Sequence, residues 1–268
     1  MNKFFNILSL AIIALVAIAC DPVSEDERYI KTDTPSGGGG VSPDDTEVAR
    51  KALVQEFTGQ FCPNCPLGHE ALDNIATQYG ESAVIVSIHA GDMAFDDPDF
   101  GLKTADGDAY AKEWGIQQYP SAIVNRKNVM PDRSQWQGAV FTALSSSTEV
   151  KIELEAQQQD GKINITSNLS ATKSAVSAKY QLWIVEDGIQ TLQQDGEEYI
   201  MDYTHNHVYR ASANGIGGET VNIPAKETMA LQHTINKDSR WNADNLKVVA
   251  FVYTTNDVLQ AEEIKISK

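Results

Sequence analysis

Apolar and polar residues along this chain keep two different rhythms, and the change falls near residue 147. Before it, short apolar runs alternate with stretches of helical spacing. Residues 48–57 predict a strand, and residues 66–79 a helix in which Leu67, Leu72, Ile75, Ala76 and Tyr79 recur near the helical period. Residues 83–88, all apolar but for one serine, predict a buried strand. A helix over 109–114, a strand over 120–124 with a hairpin return at 127–130, and a closing helix over 134–145 complete this half. Alternating strands and helices gather their strands in a central sheet, so residues 47–147 are expected to form an α/β domain.

Beyond residue 147 the helical signals stop. Residues 149–156 and 162–166 alternate strictly, and 179–185 less cleanly. Further strands are predicted at 199–203, 207–211, 220–223, 229–235, 246–253 and 258–266. Asp160-Gly161, Asp187-Gly188 and Asp195-Gly196 supply turns between them. Residues 148–268 therefore predict an all-β, immunoglobulin-like sandwich, and it must hold its core without a disulfide because it has no cysteine.

The first 46 residues follow neither rhythm. Lys3, an apolar run over 4–16 and Ala17-Ile18-Ala19 read as a secretory signal covering residues 1–19. The run is too short for a membrane span and nothing after it stops transfer. Cys20 follows directly, and the segment resembles a bacterial lipobox, in which that cysteine is acylated; Ala17 stands where leucine is commoner. Acyl chains would anchor the protein to a membrane without spanning it. Residues 20–46 contain Pro22, Pro35, Pro43 and four consecutive glycines from Gly37, the composition of a flexible tether. Its acidic start, Asp21 to Glu27, reads either as an ordinary solvated charge run or, by similarity to the export signal of Bacteroidetes surface lipoproteins, as an address outside the outer membrane.

Without residues 1–19 the chain carries 20 basic and 37 acidic residues, a formal charge of -17. That balance argues against nucleic acid as a partner and against docking of the protein itself on anionic headgroups.

The chemistry concentrates at Cys62-Pro63-Asn64-Cys65. A strand that delivers a cysteine pair to a helix N-terminus makes a thiol acidic, because backbone N–H groups and the helix dipole favour the thiolate. Zinc is the competing chemistry: Cys62, Cys65, His69 and His89 would make a permissible ligand set, yet the chain has no second CxxC and the placement suits redox work better. His205 and His207 share a strand face and could be joined by His233, but no acid or thiol completes that set. No metal or cofactor is expected. A third reading makes the pair a stable bridge in a redox-inert domain, common outside the cytoplasm.

Two stretches resemble thioredoxin-like proteins. Residues 54–65, ending Phe61-Cys62-Pro63-Asn64-Cys65, look like that family's strand, turn and helix start. Residues 114–123, with Tyr119-Pro120, look like its cis-proline loop. The resemblance implies that Cys62 is an exposed nucleophile and Cys65 a buried resolving thiol. It also implies that Glu56 is a buried acid serving Cys65, and that Pro120 lies against the pair. By the same resemblance Tyr119, Pro63 and Phe61 border the bound substrate. The alternative reading of Glu56 is a surface strand glutamate.

The whole order of segments is similar to the twenty-eight-kilodalton outer-membrane lipoprotein family of Bacteroidetes. The matching pieces include Phe61 to His69, Tyr180 to Asp187, Tyr203 to Arg210 and Val248 to Tyr253. Membership implies an outer-membrane location and settles architecture better than activity, since the family is described loosely as surface or adhesin-like. Two functions stay open. One is a membrane-tethered thiol–disulfide oxidoreductase acting on a protein client. The other is a surface lipoprotein that binds a protein or glycan and keeps the CxxC as a structural bridge.

Overall fold

The computed structural model describes residues 47–268, so the signal segment, Cys20 and the tether lie outside the described residues. A short strand β1 (Val48–Ala49) leads into β2 (Ala52–Thr58), α1 (Cys65–Tyr79) and β3 (Ala83–His89). Then come α2 (Ala105–Glu113), β4 (Ser121–Val124), β5 (Val129–Met130) and α3 (Trp136–Leu144). The strand-rich half follows as β6 (Ser147–Thr148), β7 (Val150–Gln159), β8 (Lys162–Ala171), β9 (Val176–Glu186), β10 (Ile189–Asp195) and β11 (Glu198–His205). It ends with β12 (Val208–Ser212), β13 (Glu219–Ile223), β14 (Thr228–Asn236), β15 (Leu246–Thr254) and β16 (Asp257–Lys265). The protein is mostly β-sheet with few helices, and no helix among the described residues is long and apolar enough to cross a membrane.

Each predicted helix is present, and the predicted strands are found with their ends shifted by a few residues. The helix expected at 109–114 begins earlier, at Ala105, because Thr104 caps it: its Oγ1 accepts the Gly107 N–H at 2.9 Å.

The expected boundary at residue 147 is not where the sheets divide. One nine-stranded sheet runs β16-β15-β9-β12-β3-β2-β4-β5, with β13 also paired to β9. Strand β12 joins the halves: it runs antiparallel to β9 on one side and parallel to β3 on the other, at Val208 and Ser87. The Ser87 N–H also donates to the carbonyl of His207 at 2.7 Å. The halves expected as separate domains thus fall, over the described residues 47–268, in one compact unit. Buried β3 has two faces and two edges to satisfy, and a strand from the second half supplies one edge.

The sandwich expected for residues 148–268 uses that same sheet as one layer. A three-stranded sheet, β14-β8-β7, is the other. Ile152, Ile163, Ile165 and Leu169 from the small sheet meet Tyr180, Leu182, Ile184, Val248 and Ala250 from the large one. In the N-terminal half the period-two alternation of β2 sorts its side chains. Leu53 and Phe57 join the core that includes Tyr110 of α2, whereas Ala52 and Val54 join Leu72, Ile75, Trp136 and Val140 beneath α1 and α3. Glu56 continues the second series, so the pleat itself aims a carboxyl under α1. Two strand pairs stand outside these layers: β1 with β6, and β10 with β11, the latter a separate two-stranded hairpin.

Candidate active site

The site is assembled from the end of β2, the start of α1, the β4 entry and the β10–β11 hairpin. Cys62 and Cys65 are joined in a disulfide. Cys65 opens α1; the Cys65 N–H donates to the Cys62 carbonyl at 3.2 Å and the Cys62 N–H to the Gly59 carbonyl at 3.1 Å, a tight turn before the helix. Asn64 makes no side-chain cap, and Pro66 sits in the first turn, where its missing N–H would have been unpaired anyway.

Cys65 is fully buried, and so, against expectation, is Cys62, at 2 % exposure. The cause is the hairpin. Gln193 Nε2 donates to the carbonyls of Cys62 at 3.1 Å, Gly59 at 3.3 Å and Gln194 at 2.9 Å. The Gln194 N–H donates to the Gln60 carbonyl at 2.8 Å, and the Gly196 N–H to the Pro63 carbonyl at 3.0 Å. Gln60 is fully buried as well; its Nε2 donates to the Phe100 carbonyl at 3.0 Å and its Oε1 accepts the Leu102 N–H at 3.0 Å. Polar hydrogen bonds from a segment far along the chain therefore seal the cysteine loop. Phe61 is half-buried and meets Phe95 edge-on at 5.3 Å, with its N–H on the Met93 carbonyl at 2.8 Å.

The bond Tyr119–Pro120 is cis. Gly68, one turn after Cys65 on α1, marks how closely the parts approach. A Cβ there would lie 2.7 Å from Glu56 Oε1 and 2.9 Å from the Pro120 ring. Gly68 thus brings Glu56, Pro120 and the helix start to one place. Replacing it overpacks that place: Gly68→Ala is expected to lower unfolding stability by about 1–3 kcal/mol in urea titration, despite alanine's better helix propensity. A variant as stable as the wild type would show that α1 shifts freely here. Tyr119 is half-buried on the other side of the loop, its hydroxyl where a side chain on Gly91 would have to go. Burial raises its pKa.

Glu56 is fully buried. Its Oε2 accepts from Ser87 Oγ at 2.8 Å, and its Oε1 has no hydrogen-bond partner. Desolvation pushes its pKa up to about 8, the Ser87 bond opposing and Asp73 adding slightly. His69 Nε2 lies 3.7 Å from Glu56 Oε2. Burial holds His69 down at about 3, so near neutral pH this is a contact between two uncharged groups, not an ion pair. His69 otherwise bonds Thr58 Oγ1 through Nε2 at 3.1 Å and the Tyr203 hydroxyl through Nδ1 at 2.8 Å.

Four of the chain's five histidines converge on a cavity of about 40 Å³ beside Ser87: His69, His89, His205 and His207. The rings of His89 and His205 are 5.2 Å apart, and those of His69 and His205 6.1 Å. Neither ring nitrogen of His89 has a hydrogen-bond partner, nor does Nδ1 of His205. Desolvation lowers the pKa of all four, His205 to about 4. The two metal sets weighed from the sequence are thereby regrouped. The cysteines are bonded to each other, and His233 stands apart, 2.7 Å from Glu219 Oε1. Among the described residues no three His, Cys, Asp or Glu side chains are arranged to hold a metal ion.

Sequence reasoning did not find Gln60, Gln193, Gln194, Tyr203 or His205 as neighbours of the cysteines. The last four lie on the β10–β11 hairpin, for which the Asp195-Gly196 turn and the strand expected at 199–203 were the signals, while β10 itself gave none.

Among solved structures the chain is similar to HBP35 of Porphyromonas gingivalis, at 14% identity and a TM-score of 0.66, over 81% of this chain and 76% of that one. A protein from Agrobacterium tumefaciens matches at 16% identity and a TM-score of 0.51, over 81% of this chain and 95% of its own. At such identities the likeness is one of fold. A domain of the outer membrane lipoprotein Omp28 from Porphyromonas gingivalis aligns at 24% identity over 45% of this chain and 89% of that one, with a TM-score of 0.33. Comparison with curated proteins finds no match. The sequence profile of outer membrane protein Omp28 matches residues 107–268, a stretch that holds cis-Pro120 and the sealing hairpin but not the cysteine pair. That match spans more than half of the chain, which therefore belongs to the Omp28 family and takes its place at the outer membrane.

Proposed function

We propose that this outer-membrane protein is a lipoprotein, acylated at Cys20, whose N-terminal half is thioredoxin-like and whose Cys62–Cys65 pair exchanges with protein disulfides. The observation that carries this reading is the convergence at Gly68: a buried carboxyl with a free oxygen, a cis-proline and the first turn after Cys65. The thiolate of Cys62 attacks a client sulfur; a mixed disulfide forms and one client thiolate leaves. Glu56, in its ionised form, takes the proton of Cys65, whose thiolate attacks Cys62, so the Cys62–Cys65 bond closes and the second client thiolate departs. Two electrons pass to the client, and the reverse sequence oxidises a client dithiol.

The burial of Cys62 supports a second reading, in which the pair is a structural bridge within a surface binding module for a protein or glycan. One experiment separates them. Wild type and Cys62→Ser are compared in reduction of insulin disulfides, and Cys65→Ala is probed for a reductant-sensitive adduct with an oxidised dithiol peptide. The exchange reading expects activity only in wild type and a trapped adduct on Cys62. Equal rates in wild type and Cys62→Ser overturn it, as does a reduction potential below about -300 mV, the range of inert bridges.

A further inference from the structure

Glu56 poses a problem of access. A buried acid that takes a proton from Cys65 must afterwards lose it, yet Glu56 is fully buried and its hydrogen bond is to Ser87. His69 is the titratable group beside it, with Nε2 at 3.7 Å. The opposite nitrogen of the same ring is 2.8 Å from the hydroxyl of Tyr203, a half-buried residue on β11 at the protein's edge. Thr58 Oγ1 lies 3.1 Å from Nε2, so in the Nδ1–H tautomer the Nε2 lone pair lies on the side shared by Thr58 and Glu56 while Nδ1–H donates to Tyr203.

We propose that His69 is the proton-transfer residue through which the sealed Glu56 carboxyl exchanges its proton with solvent, by way of Tyr203. The inference rests for its purpose on the thiol–disulfide reading, though the path is measurable without it. In the outward step the Glu56 O–H breaks and an Nε2–H forms. In concert Nδ1–H breaks, an O–H forms on Tyr203, and the proton Tyr203 carried passes to water. The carboxylate is left behind, no electrons move, and rotation of the hydroxyl and ring resets the path.

The surroundings suit a relay rather than a charged site. Facing His69 are Asp73 of its own helix, Glu56 and Thr58 of β2, Ser87 and His89 of β3, and Tyr203 and His205 of β11, with His207 just beyond. Asp195 acts on Tyr203 from β10, and Arg210 on His89 from β12. Desolvation keeps the imidazoles neutral, so each retains both a donor and an acceptor. The adjoining cavity of about 40 Å³ has room for a water molecule between Ser87 and the rings.

The test follows the proton itself. The infrared carboxyl band of Glu56, isolated as the difference between wild type and Glu56→Gln, shifts when its proton is replaced by deuterium. On rapid transfer to D₂O, His69→Gln and Tyr203→Phe should each slow that shift about tenfold or more. Amide protection in β2 and β3 should stay as in wild type, which separates a relay from a general loosening or tightening of the site. Tyr203→Phe removes only a hydroxyl, so it serves if His69→Gln fails to fold. Wild-type deuteration rates in both variants overturn the proposal. Slowed deuteration in a protein whose wild type exchanges no disulfide leaves the relay standing and removes the reading of function.

Discussion

Brought from pH 7 to pH 5, the protein should lose about 3 kcal/mol of unfolding stability through His69, His89, His205 and Glu56 alone. The sign follows from the direction of each shift. His69, His89 and His205 are held neutral in the folded protein, at about 3 for His69 and about 4 for His205. The unfolded chain takes up protons below about 6.5, so their contribution is full above that value and is lost as pH falls. Each such histidine costs about 2 kcal/mol between pH 7 and pH 5, about 6 for the three.

Glu56 works the other way. Its folded pKa of about 8 exceeds the unfolded value, so its contribution is full in acid and lost as pH rises towards 8. Acidification to pH 5 returns about 2–3 kcal/mol of it. Stability therefore peaks just below about pH 7, and the flank on the acid side is the steeper. Urea titrations read by tryptophan fluorescence at pH 5, 6, 7 and 8 check this. Glu56→Gln should be more stable than wild type at pH 8 and should lose about twice as much on going from pH 7 to pH 5. Parallel curves for the two proteins would mean that Glu56 is ionised where it lies.

The second large effect concerns access to the disulfide. Gln193→Ala removes one amide that serves the carbonyls of Cys62, Gly59 and Gln194. With these bonds gone, hairpin opening should become easier by about 2 kcal/mol. Reduction of Cys62–Cys65 by dithiothreitol, followed by alkylation and mass measurement, should then speed up about 30-fold, since that energy is a factor of this size in the open population. The comparison must be made below the unfolding range, because Gln193 is itself fully buried and its loss also lowers global stability. An unchanged rate in a folded variant would show that reductant reaches the pair without moving the hairpin.

The same hairpin shows where a linear reading of the chain stops. Strand β3 was legible as a nearly unbroken apolar run, β2 by its Ala52-Leu53-Val54 start and Phe57, and α1 because Leu72 and Ile75 recur at helical spacing. The cysteine loop announced itself by residue type, and Tyr119-Pro120 by its resemblance. Strand β10, in contrast, reads Ile-Gln-Thr-Leu-Gln-Gln-Asp, a polar sequence with no apolar alternation to mark it. Its glutamine at 193 is buried because backbone carbonyls of a distant loop satisfy it, and local pattern carries no trace of that. The histidines failed for a related reason. They were read in two sets, one per half, because the strand pairing that brings His205 and His207 to His69 and His89 crosses the expected domain boundary. Glu56 was ambiguous until the pleat of β2 placed it on the α1 face.

That crossing also bears on how the chain is made. Strand β3 emerges early, but its ladder partner at Val208 comes only after α2, α3 and strands β4 to β11. Until then one edge of β3 is open, and an open edge of Val-Ile-Val sequence is an adhesive surface for other strands. The N-terminal half of this protein cannot close its sheet during synthesis. Its native edge forms only when the C-terminal half has been delivered to the same compartment, so assembly of the site waits for the whole chain.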